Sequence, residues 1–385
     1  MLKNKIYKYF TLEIMKLFLT ILFAFTAIAW TVRAVNFLDL IVDSGYSVKT
    51  YLQFSIFNVT NILTKFIPLS FLLALVLSIL KFERQNELII LWTTGLNKIR
   101  LVNLFFVISL LILSLQLIFA VFITPNLLNK SRNLIKASQF DYAVSSLIKA
   151  NDFTDNFNDL TFYVEKKDEN NQMKNIFIRD ENSILKSLVS EEKKSQNTTI
   201  FAKTGFLEKN RLILREGLIQ SKNTEGKFSN IKFEKTEFFM ENIKSRTIVD
   251  PKLQETVTSS LIACYFNTNE NITNLKIDNC SKTSRKKDVV ENLSRRFGMP
   301  FYIPLIALIS SFLLIQTKKK KYRIFNRYFF FAISFIILVL AEILVRYSGF
   351  SNLHTLMYFL IPVSLMPIIY FILFRKVASE KLNYE

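Results

Sequence analysis

Half of the 385 residues are apolar, 38 of them phenylalanine, which excludes an ordinary soluble globular chain. A formal charge of +19, from 50 Lys and Arg against 31 Asp and Glu, suggests nucleic acid until the charges are mapped. They gather beside apolar segments, and no basic groove interleaved with aromatics appears, so the sequence speaks against a nucleic-acid partner.

Taken in chain order, three strongly apolar runs come first, at residues 12–32, 51–80 and 101–124. A polar insert follows over 129–298, then three more apolar runs at 299–317, 328–345 and 353–374. Each is about 18 residues or longer, enough to cross a hydrocarbon core of about 30 Å as a helix. The basic clusters are Lys3, Lys5 and Lys8; Lys81, Arg84, Lys98 and Arg100; residues 318–321 with Arg323 and Arg327; and Arg375 with Lys376. If six spans alternate, all four clusters fall on one side, which is the positive-inside pattern. Both termini and the 81–100 loop are then expected in the cytoplasm, and the insert outside it. The competing reading makes the first run a signal peptide cleaved after Ala27-Ile28-Ala29, which would leave five spans and break the charge pattern.

Within the insert the period changes from helical to alternating. Leu160, Phe162 and Val164 share one face of a predicted strand, and Ile176 with Ile178 repeats the pattern. Further strands are predicted at 200–202, 211–214 and 231–234, with breaks at 168–171, Gly205, 208–210, Gly217 and Gly226. At least five short strands at near-regular spacing indicate a sandwich or jelly roll. Residues 256–266 and 288–297 are predicted helical and return the chain to the membrane. The expected fold class is therefore an α-helical polytopic membrane protein of six spans (3+3) with an inserted extracytoplasmic all-β, jelly-roll-like domain. The expected domains are 1–128, 129–298 and 299–385. Cys264 and Cys280 both fall in the insert, where a local bridge and two free thiols are equally compatible with their spacing.

The glycines lie at 45, 95, 205, 217, 226, 298 and 349, so no G-x-G-x-x-G can be written, and Gly226-Lys227 has Ser221 where a phosphate-binding loop needs glycine. The single histidine, His354, opens the last span, leaving neither a triad nor a two-His metal site in the insert. The chain is expected to be non-catalytic and to carry no cofactor, so any work it does draws on an outside source of energy.

That source has a candidate contact in the loop at 81–100. Asn86 can cap a short helix, Glu87 sits in its first turn where the dipole favours a carboxylate, and Gly95 can close it. Leu88, Leu91, Trp92 and Gly95 then share one face. An exposed aromatic behind a leading carboxylate suits docking into a groove of a soluble partner; a helix lying on lipid is the alternative.

The stretch from Pro68 through Asn86-Glu87-Leu88 to Thr94-Gly95-Leu96 resembles the lipopolysaccharide export permeases of the LptF/LptG family, with Gln85-Asn86 and Thr93-Thr94 as mild departures. So do Phe201-Ala202-Lys203-Thr204-Gly205, the 212–217 segment, Gly226-Lys227 before residues 231–233, and Asn292-Leu293-Ser294-Arg295-Arg296-Phe297. Residues 35–40 with Gly45 look more like the LptF branch. The resemblance implies that Glu87, Leu88, Leu91 and Trp92 form the coupling helix held by an LptB-like ATPase dimer. It also implies a heterodimer with an LptG-like permease subunit and a β-jelly-roll joining LptC/LptA-like periplasmic bridge proteins. The cargo would be lipopolysaccharide, taken from the bacterial inner membrane. The alternative function is a non-transporting scaffold or sensor with a periplasmic β domain.

Three cations are candidates for the lipid's anionic head groups. Arg33 ends the first span with a planar, always-charged donor suited to phosphate, though snorkelling to the interface explains it too. Lys65 lies about 22 Å above Leu80 at about 1.5 Å per residue, inside the outer half of the core. Arg346 follows Glu342 by one turn near the outer end of the fifth span, where an intrahelical pair is the simpler reading and lipid contact the one the family implies.

Overall fold

The computed structural model describes residues 2–42, 47–138, 150–157, 160–168, 172–181, 195–208, 211–223, 228–239, 252–266, 283–315 and 320–382. Six of its helical stretches are long and apolar enough to cross a membrane. The chain divides into two compact units, one of Met1–Arg33, Ile56–Lys130 and Lys252–Glu385, the other of Ala34–Ser55 and Ser131–Pro251.

The helices outrun their apolar runs, because polar residues at each end keep the helical period while their heads reach out of the apolar layer. α1 spans Leu2–Asn36, α2 Asp39–Val42 and α3 Val48–Arg84, with Pro68 inside α3. α4 (Glu87–Thr93) is the short loop helix, and α5 covers Lys98–Ile118. A π-helical turn at Phe119–Ile123 joins α5 to α6 (Thr124–Ser138), so the third span is continuous but holds one wide turn. α7 (Thr258–Phe266) and α8 (Thr283–Gly298) are the expected return helices. The fourth apolar run breaks at Pro300 into a 3₁₀ turn at Met299–Phe301, then α9 (Tyr302–Ser310). All of α9 is buried, as expected for a helix apolar on every side. α10 (Lys320–Tyr347) and α11 (Asn352–Leu382) complete the bundle. One core runs through it, from Phe10, Phe18 and Phe71 to Leu305, Ala341 and Tyr358.

The second unit holds a six-stranded antiparallel meander in the order β1 to β6: Phe153–Phe157, Leu160–Lys167, Gln172–Asp180, Ser195–Glu208, Arg211–Asn223 and Phe228–Phe239. Its core is the predicted alternating face, Leu160, Phe162 and Val164 with Ile176, Ile178, Ile200 and Leu214. On the opposite face Tyr163, Phe177, Phe201 and Leu218 stand in register across four strands.

Two predicted breaks are absent: Gly205 lies within β4 and Gly217 within β5. Here glycine serves close approach rather than a turn. A Cβ on Gly217 would run into the Phe201 carbonyl oxygen and the Phe233 ring, and one on Gly205 into Ile176 and Leu214. The alternation does reverse inside the strands, at a crease. Lys174 and Asn175 both face out, as do Arg215 and Glu216, and Asn175 (φ 51°) and Glu216 (φ 50°) adopt left-handed backbone there. Lys203 donates to Glu216 Oε2 at 2.8 Å across the crease and holds that carboxyl below its usual range. Gly226 lies outside the described residues.

Cys264 on α7 is buried and disulfide-bonded, so the free-thiol alternative falls. Cys280, the other cysteine of the sequence, lies outside the described residues.

Candidate functional site: a charged cavity and a braced loop

A cavity of about 310 Å³ opens between α3, the third span, α8 and α10. Each wall has a local cause. Pro68 cannot donate to the carbonyl of Thr64 one turn earlier, which loosens α3 beside the cavity. The π-helical turn widens the third span at Ala120, between cavity residues Gln116 and Thr124. Thr64 and Thr124 meet through their hydroxyls at 2.9 Å and tie those two walls together. Leu69, Met299, Phe335 and Leu338 supply apolar surface, and the buried Gln116 side-chain oxygen has no hydrogen-bond partner.

The charges come from three elements. Lys65 on α3 lines the cavity and feels the charges of Arg33, Arg295 and Glu342. Arg295 bridges two carboxylates, donating to Glu342 of α10 and lying 3.4 Å from Glu291 one turn back on its own helix. Arg296, its neighbour, turns inward and is 6 % exposed. Its guanidinium donates to Thr258 Oγ1 (2.6 Å) and to the carbonyls of Thr256, Leu253 and Gln254 (2.9, 3.2 and 3.3 Å). Thr258 in turn donates to the Val121 carbonyl within the π-helical turn at 2.7 Å. Arg296 is thus a structural pin within the cavity wall, its guanidinium spent on backbone carbonyls and Thr258, while Lys65 and the Arg295–Glu342 pair supply the other charges.

At the far end of the bundle, α4 is stitched down. Leu88 and Leu91 are 3 % and 8 % exposed and join the bundle core, with Trp92 packed beside them. Asn86 takes the left-handed conformation (φ 59°) and makes no side-chain cap. Gly95 (φ 79°) closes the helix, its N–H donating to the Trp92 carbonyl and that of Leu96 to the Leu91 carbonyl. Glu87 accepts from the Tyr9 hydroxyl at 3.1 Å.

The family model described as lipopolysaccharide export system permease LptF/LptG matches residues 8–376. The chain belongs to the LptF/LptG family. It is also similar, at 24 % identity over 247 residues, to the uncharacterized protein RP871 of Rickettsia prowazekii (strain Madrid E). That similarity covers 62 % of this chain and 64 % of the relative, so the aligned part spans less than two thirds of the relative's own length.

Six apolar helices and a separate antiparallel sheet are the fold expected of an LptF/LptG permease, and the resemblance read from the residues holds over nearly the whole chain. The predicted site residues distribute unevenly on this frame. Lys65 lines the cavity, Arg33 is close enough to act on it electrostatically, and Arg346 is exposed outside it. Glu342 does not pair with Arg346: its carboxylate is taken by Arg295, a contact between residues too far apart in sequence for helical spacing to reveal. The apolar face of the loop helix is covered by the permease itself. Leu88, Leu91 and Trp92 pack into the permease's own core, and Ile89 and Ile90 point out. Trp92 is half-buried, with the Lys98 ammonium 5.6 Å from its ring centroid. Sequence reasoning missed Arg295 as a site residue, although Arg295-Arg296 just before an apolar run was the available signal.

Proposed function

We propose that this permease is the membrane-embedded subunit of an ATP-driven lipopolysaccharide exporter, located in the bacterial inner membrane with its β domain in the periplasm. It takes lipopolysaccharide from the membrane's outer leaflet and passes it to LptC/LptA-like bridge proteins. It pairs with an LptG-like subunit and draws on an LptB-like ATPase dimer at the 81–100 loop. The observation that carries this is the cavity, with apolar walls of Leu69, Phe335 and Leu338 and a rim of Lys65 and Arg295 beside the Glu342 carboxylate that Arg295 holds. That combination suits an amphiphile whose head carries phosphate. The basic clusters beside the spans support the orientation.

Photocrosslinking of lipopolysaccharide to a probe at Asn61, which also lines the cavity, tests the reading. Arg33→Glu and Lys65→Glu are each expected to lower the crosslink about tenfold or more while the subunits still copurify, since Lys65 lines the cavity, Arg33 acts on it electrostatically, and each change reverses a charge that favours phosphate. Unchanged crosslinking in both would remove the cavity from the lipid's path. For the loop, Glu87→Ala is expected to cut ATPase capture by about tenfold or more, the lower bound for a charged hydrogen bond lost at an interface. Full capture at full lipid release would refute the loop as the ATPase's docking point.

A further inference from the structure

The cytoplasmic end of α1 grips the end of α3 and the start of the loop helix through three successive contacts. Tyr9 donates to Glu87 Oε1 at 3.1 Å. Phe10 packs edge-on against Phe82, with ring centroids 4.3 Å apart and both rings buried. The Lys81 ammonium meets Glu13 Oε2 at 2.6 Å. Tyr9 and Glu13 are one helical turn apart, so one face of α1 holds both the end of α3 and the start of α4.

This matters because nothing local fixes Glu87. Its helix has fewer than two turns, and the preceding Asn86 supplies no side-chain cap. The Tyr9 ring is itself held against Phe10 and Phe82, at centroid distances of 5.7 and 6.3 Å. Its hydroxyl therefore presents a donor to one carboxylate oxygen of Glu87, on which the Lys81 charge also acts. From Tyr9, α1 continues unbroken to Asn36 and carries Arg33, about 36 Å away at about 1.5 Å per residue.

We propose that Tyr9 is a positioning residue that orients Glu87 for the ATPase, and that Tyr9, Phe10 and Glu13 pass loop displacement into α1, the span that carries Arg33. The inference rests on the reading that the ATPase docks at the 81–100 loop. It makes α1 a rod driven at its base, in addition to the covalent pull on α3 and α5.

The test uses the full permease complex with its copurifying ATPase in proteoliposomes, reading ATPase capture, ATP hydrolysis and lipopolysaccharide released per ATP. Tyr9→Phe keeps the ring and removes only the donor. It is expected to weaken capture by no more than about threefold, less than Glu87→Ala does, and to lower release per ATP about three- to tenfold, the size of one hydrogen bond. Glu13→Lys and Lys81→Glu are each expected to lower the same ratio, and the double exchange to restore it. A fold defect would instead lower capture and hydrolysis together. If Tyr9→Phe matches the native ratio while Glu87→Ala abolishes capture, the positioning role is wrong and the docking reading stands. If Tyr9→Phe abolishes capture, Tyr9 is a partner contact and the proposal is overturned. Native behaviour of both Tyr9→Phe and Glu87→Ala would overturn the docking reading and the proposal with it.

Discussion

Replacing Arg296 with methionine is expected to destabilise the bundle by about 3 kcal/mol, although the change preserves stem length and adds no bulk. The guanidinium donates to three carbonyls and to the Thr258 hydroxyl, which carries the bond onward to Val121. Methionine satisfies none of those acceptors, and the 252–256 segment cannot turn them to water without leaving α8. The loss is tempered because the variant no longer buries a charge. Arg296→Lys is expected to recover less than half of it, since an ammonium lacks the planar fork that reaches several carbonyls at once. Thermal unfolding of the detergent-solubilised permease measures both, and an Arg296→Met midpoint equal to the native one would contradict the account.

Gly217→Val is expected to cost a similar amount, about 3 kcal/mol at the upper end for overpacking, and to do so within the sheet. Valine favours strands, so propensity alone predicts a gain. The geometry predicts the opposite, because the added carbon meets a main-chain oxygen at Phe201 that is fixed by strand pairing and cannot swing aside as a side chain would. The Phe233 ring on β6 blocks the other side. Hydrogen exchange should show β4 to β6 losing protection together while amides of α9 stay slow. Protection in β5 at the native level would refute this.

The frame of the molecule was legible because its signals are local. Apolar length marks a span without reference to its neighbours, and period-two alternation marked β2 to β6. β1 escaped because Phe153-Thr154-Asp155-Asn156-Phe157 offers only two apolar positions, too few to register as a period. The cavity was half legible. Lys65 stood out as a charge in an apolar run, whereas Arg295 needed its partner Glu342 from another helix to show its part. The burial of the loop helix was hidden for a related reason. Periodicity identifies which residues of α4 share a face, yet whether that face looks toward a partner or toward its own bundle depends on packing with distant residues such as Phe10 and Phe82. Tyr9 carries no signal of any kind in sequence, being one aromatic among many at a membrane-facing helix end.

The wide turn at Phe119–Ile123 has a consequence for how the third span is built. A π-helical turn holds one residue more than an α-helical one, so the two halves of the rod are offset by about 100° from where an unbroken helix would set them. Wound as plain α-helix, the same residues would carry Thr124 about 100° away from Thr64 and dismantle a wall of the cavity without touching a single charge, whereas deleting Ala120 as the turn rewinds would leave Thr124 facing Thr64. Azimuth, as much as chemistry, is what this inserted residue encodes.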